Sequence, residues 1–113
     1  MAHRMLDGVT AAANSVALDF SVPVSEHTVE IYLTSGTVSA CVIDLEGSIQ
    51  NRNETSPQWE TLASYTFTAG DLTAKKAMFH VVNKPVRKVR IALTTFTNSS
   101  GVLVALYEPN TVG

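Results

Sequence analysis

The chain has 113 residues, 45% of them hydrophobic and 16% charged, with a formal net charge of −2. This length suits one domain with one core, and a charged share well below the usual ~25% points to outer faces that cost little to bury against a partner. The balance excludes the positive field that a phosphate backbone needs, and no apolar run approaches the ~20 residues of a membrane span, so neither nucleic acid nor membrane is expected as a partner.

The first fourteen residues, from Met1 to Asn14, read as an irregular N-terminal arm. Ala11-Ala12-Ala13 has little pattern, and a short helix, a flexible segment or a partner-docked segment all fit it. Met1 to Gly8 lacks the apolar stretch of a signal peptide. From residue 15 the period becomes two. Val16, Leu18 and Phe20 alternate with Ser15, Ala17 and Asp19 until Pro23 interrupts. Val29, Ile31 and Leu33 then alternate with Thr28, Glu30 and Tyr32, and Ser35-Gly36 reads as a turn. Val38 to Glu46 follows, with Cys41, Ile43 and Leu45 on one face and Asp44 and Glu46 on the other. Ile49 to Gln58 is the most polar stretch and reads as a loop.

Strand character returns over Trp59 to Leu62 and Ser64 to Thr68, with Ala69-Gly70-Asp71 as a turn. Met78 to Val82 is a strand stopped by Asn83-Lys84-Pro85. Val86 to Phe96 is the strongest strand, with Val89, Ile91 and Leu93 on one face. Thr97 to Gly101 reads as a hairpin loop, and Val102 to Tyr107 closes the domain. Seven to eight short strands with turn chemistry between them predict an all-β fold, an antiparallel β-sandwich or jelly-roll-like domain over residues 15–113 behind the arm. The inside residues are expected to be Val29, Ile31, Ile43, Leu45, Val89, Ile91 and Leu93.

No arrangement of residues reads as catalytic, cofactor-binding or metal-ligating. His3, His27 and His80 have no second ligand at metal spacing and read as structural or surface histidines. Asp44 and Glu46 point to one face at a separation that acid/base pairs use, but a solvated outer face explains them better. No nucleophile elbow, phosphate loop or dinucleotide fingerprint occurs. Cys41 excludes an intrachain disulfide and reads as a small buried hydrophobe, against a reactive thiol. A lone cysteine fits folding in a reducing cytoplasm. Trp59 reads as a core anchor, against a sugar platform. The basic run Lys84 to Arg90 reads as a solvated face with an edge charge. Its functional alternative is ionic contact with an acidic protein surface through Arg87, Lys88 and Arg90, with Arg4 in the arm as a further candidate contact. In that reading Lys88 and Arg90 share a face, and Arg87 falls on the face of Val89 and Ile91.

Leu45-Glu46-Gly47-Ser48, a polar loop, and then Trp59-Glu60-Thr61-Leu62 with a Thr-rich strand resemble small β-sandwich virion proteins of tailed bacteriophages. Phe79 to Ile91, with paired strands joined through Asn83-Lys84-Pro85 and an Arg after them, is similar to the same group. The resembling region runs from about Val29 to Tyr107. It implies capsid decoration (a cement protein), a head fibre or a tail component, with the free-standing size of the chain favouring decoration. It further implies the major capsid protein as partner, a homo-oligomer with a trimer favoured, and a place on the capsid surface of the virion. From other classes, a ligand-binding sandwich such as a carbohydrate-binding tail or head-fibre module is the second reading. A small hydrolase using Asp44 and Glu46 is the third.

Overall fold

The structure is a computed structural model that describes residues 3–49 and 58–110. Its elements are β1 (His3–Val9), β2 (Ala13–Asn14), β3 (Leu18–Val24), β4 (Glu26–Ser48), β5 (Glu60–Thr66), α1 (Ala69–Ala74), β6 (Lys76–Val81) and β7 (Val86–Asn110). All strand pairs are antiparallel. The predicted fold class is therefore the observed one.

The architecture follows from one long ribbon. β4 and β7 pair from Glu26 opposite Asn110 to Ser48 opposite Lys88, and the ribbon bends in its middle. Ser35-Gly36 and Thr97 to Gly101, expected to be turns, are instead the bend, and the ladder continues through both. Three register shifts of β4 fall between Leu33 and Ala40. Such bulges bend a strand and sharpen its twist. Gly36 sits at φ +66, where an added Cβ would lie 2.2 Å from the Ser100 carbonyl oxygen. Glycine is required there both for its backbone angle and for the close approach. Ser100 itself adopts φ 59.

The bend divides the sheet into two facing halves. The first half holds β1, the later part of β7, the earlier part of β4 and β6. The second holds β2 and β3, the earlier part of β7, the later part of β4 and β5. One core lies between them and draws on both, from Val29, Ile31, Leu103 and Tyr107 to Ile43, Leu45, Val89 and Ile91. All seven residues expected inside are buried. Ring contacts cross between the halves: Phe20 meets Tyr107 with centroids 6.2 Å apart, and Tyr65 stacks on Phe79 at 5.4 Å.

Three further expectations are corrected. The N-terminal segment is not irregular throughout, since β1 pairs with β7 and Leu6 is in the core. The bulges at Met5 and Gly8, the latter at φ +72, hid its period. Ala69-Gly70-Asp71 opens a short helix rather than a turn. The Thr68 side chain caps the Asp71 N–H and the Asp71 carboxylate caps the Thr68 N–H, a reciprocal box that satisfies two helix-start donors. Finally, Val86 and Val89 both face the core, so the phase slips between them and Arg87 turns outward. The predicted polar loop falls largely on residues 50–57, outside the described residues.

Candidate interaction surfaces

The ends of the core fix the surface. His27 is fully buried, and its Nε2 lies 2.9 Å from the Lys84 carbonyl oxygen. A carbonyl only accepts, so Nε2 carries the proton and Nδ1 accepts from the Tyr107 hydroxyl at 2.5 Å. Burial lowers the His27 pKa, and burial raises that of Tyr107, so both groups stay neutral. This makes His27 a structural histidine that ties the Asn83-Lys84-Pro85 corner to the core. Cys41 is buried and its thiol is pushed up to about 11 by desolvation, in keeping with a small hydrophobe.

The outer face of the second half carries the charges expected to meet a partner, but it spends them within the chain. Lys88 is buried, with Nζ 3.8 Å from Asp19. Arg90 Nε donates to Glu46 Oε1 at 2.5 Å, and its guanidinium lies 4.6 Å from the centre of the Trp59 ring. Both cations are therefore engaged within the chain, because β3 and β4 set a carboxylate beside each, and the reading of Lys88 as a solvated charge is corrected by its burial. Trp59 is corrected as well. It is half-buried, lies outside the core, and serves as a platform for Arg90. Asp44 and Glu46 are not a solvated pair. Glu46 is engaged by Arg90, and Asp44 Oδ1 is buried without a hydrogen-bond partner among the described residues.

Arg4 and Arg87 do remain exposed. Arg4 pairs with Asp7 at 3.3 Å on β1, and Arg87 reaches the Ser21 carbonyl at 3.5 Å. They lie on different halves, so the fold does not gather the four predicted contacts into one patch. His3 is exposed on β1, and His80 is exposed on β6 with Nδ1 2.9 Å from Thr28 Oγ1.

The outer face of the first half is different, and sequence reasoning missed it. Its rows place Leu106, Glu30 and Met78 side by side, then Val104, Tyr32 and Lys76. Met78 is 49% exposed, Tyr32 37% and the neighbouring Val82 57%. Glu30 accepts from the Tyr32 hydroxyl. The signal was present: Val102 to Tyr107 is apolar on both phases, so one apolar phase has to face outward. A cleft of about 390 Å³ at the far end of the sandwich is bordered by Gln58, Glu60, Asn83 and Lys84 over Leu62 and Val86.

No protein-family model matches the chain. No curated protein matches it significantly. Among solved structures, the fold is similar to that of the SPBc2 prophage-derived protein YomS, with a TM-score of 0.58 and 15% identity over 95% of this chain and 89% of that one. The likeness shows that the two chains share a fold across nearly their whole lengths.

Proposed function

We propose that this chain is a structural virion protein of a tailed phage that decorates the capsid and joins neighbouring shell subunits. Its work is binding rather than catalysis. The observation that carries the reading is the fold likeness to a prophage-derived protein over 95% of the chain. It is supported by the outward apolar side chains of Tyr32, Met78, Val104 and Leu106 on the first half, which bury at little desolvation cost. The major capsid protein is the proposed partner, and a homo-oligomer, with a trimer as first choice, is the proposed working form.

The test is sedimentation of purified protein with empty shells of the phage that encodes it. Saturable occupancy in a fixed ratio to capsid subunits supports decoration. Absence of binding at high protein concentration overturns it. The second reading, a sugar-binding module, draws on the polar-rimmed cleft near Gln58 and Lys84. It fits less well, because Arg90 already occupies the Trp59 ring that a sugar would use. Saturable glycan binding that is lost in Lys84→Ala, by a variant that still folds, would favour it.

A further inference from the structure

The edges of the sandwich are not equivalent. β1 loses register twice against β7. β3 contains Pro23 and loses register between Asp19 and Val24. β5 meets a bulge between Leu45 and Glu46. Bulges and proline make an edge unfit for further pairing. β6 has neither. Its six residues pair with β4 from Tyr32 opposite Lys76 to His27 opposite Val81 without a shift.

The phase of that ladder is fixed by the Leu33 N–H, which donates to the Lys75 carbonyl at 2.9 Å. Residues directly opposite in an antiparallel pair alternate between bonded and non-bonded. Lys75, Ala77, Phe79 and Val81 therefore exchange bonds with β4. Lys76, Met78 and His80 turn their N–H and C=O groups to the open edge. Among the described residues none of the hydrogen bonds found reaches these outward groups.

A groove of about 360 Å³ runs beside this edge, lined by Glu30, Asp71, Ala74, Lys76, Ala77 and Met78. Its two carboxylates are held in place. Asp71 accepts from the Thr68 N–H at 2.9 Å and the Tyr65 hydroxyl at 2.7 Å, and Glu30 accepts from Tyr32. Two fixed carboxylates against one flexible Lys76 leave the groove negative. Its apolar wall is Ala74, Ala77 and Met78.

We propose that β6 is a docking edge that takes an extended segment of a partner protein as an added antiparallel strand, with a Lys or Arg side chain seated between Glu30 and Asp71 and an apolar side chain on Met78. Main-chain bonds supply affinity in such strand addition, and pockets for alternate side chains supply selectivity. A second copy of this chain fits less well. Its β6 offers Lys76 and His80 but brings the same two carboxylates with it. The inference rests on the proposed function only in naming a shell subunit as the owner of the strand; the edge and its chemistry stand without it.

The test uses the full chain and a fluorescent peptide, Thr-Val-Lys-Val-Lys-Val-Thr. We expect saturable binding, with the Met78 and His80 amides exchanging about tenfold more slowly when the peptide is bound. Replacing both lysines of the peptide by glutamate should weaken binding about tenfold, and Glu30→Gln should weaken it about threefold. N-methylation of alternate peptide residues should abolish binding in one phase and spare it in the other. Met78→Pro removes an outward N–H without touching the β4 ladder, and should lose the peptide while keeping the fold. If that variant fails to fold, the N-methylated peptides decide the matter. Unchanged exchange at Met78 and His80, equal binding of the acidic peptide, or a homodimer paired through β6 would overturn the proposal. Peptide binding without shell occupancy would remove the capsid as partner and leave the docking edge standing.

Discussion

The two outer faces of this sandwich come from the same long ribbon, yet they differ in how much apolar surface they leave outward. On the second half, Lys88 finds Asp19, and Arg90 finds Glu46 and the Trp59 ring. Charge there is consumed within the fold. On the first half, Met78, Tyr32, Val104 and Leu106 stand outward in rows that also carry Glu30, Lys76, Arg4 and Asp7. Lys88 and Arg90 of the basic run are thus engaged within the chain, whereas the segment apolar on both strand phases turns Val104 and Leu106 outward.

The largest effect separates inner from outer residues of β1. Leu6→Ala should cost about 2–5 kcal/mol, because Leu6 is buried in the core. Arg4→Ala, three-fifths exposed beside Asp7, should change stability by less than about 0.5 kcal/mol. Chemical denaturation of both variants measures the contrast. An equally small effect at Leu6 would return the first fourteen residues to the status of an arm.

The next effect compares the two faces directly. Arg90→Ala leaves Glu46, only 18% exposed, without its cation. Losing one member of a fully buried pair costs about 3–5 kcal/mol, and partial exposure reduces this to about 1–3 kcal/mol. Lys76→Ala on the other face should stay within about 0.5 kcal/mol. Matching urea midpoints for the two variants would mean that the Glu46–Arg90 pair contributes nothing.

Trp59 gives a smaller step. As a half-buried platform it should lose about 1–2 kcal/mol on Trp59→Ala, rather than the 3–5 kcal/mol typical of a core tryptophan. A double-mutant cycle with Arg90→Ala should show coupling, since both changes remove the same contact.

The pH dependence is the gentlest probe. His27 in the fold has a pKa below the 6.5 of the unfolded chain, chiefly through desolvation by burial. Below pH 6.5 the unfolded state therefore binds the proton first, and stability falls as pH drops from about 6.5 towards the folded pKa. Thermal midpoints between pH 7.5 and 5.5 should slope downward in the wild type. His27→Gln should be less stable at pH 7.5 and flatter over that range. An unchanged slope would assign the effect to other groups.

Much of the fold is legible in period two alone. Val29, Ile31, Ile43, Leu45, Val89, Ile91 and Leu93 face inward because the alternation leaves them no other face. Turn residues mislead for a physical reason. Ser35-Gly36 reports a change in backbone direction, and a bulged strand changes direction while keeping its partner. The helix at Ala69–Ala74 has no buried residue and thus no period, and its one mark is Thr68 spaced three from Asp71. The surface is the least legible part. Asp19 meets Lys88, and Glu46 meets Arg90, only after β3 and β4 are laid beside β7. Single-strand patterns hold no such information, so residues destined for internal pairs look free.

The proposal that the face of the first half carrying Met78 is the contact surface, and the face carrying Lys88 and Arg90 is not, is tested by shell occupancy of two single-charge variants. Met78→Asp places a carboxylate on the open face, and Thr94→Asp places one on the exposed outer surface of the second half. Both should fold as the wild type does. Sedimentation with empty shells should show occupancy lost for Met78→Asp and retained for Thr94→Asp. Equal occupancy for the two, or loss confined to Thr94→Asp, would contradict the account.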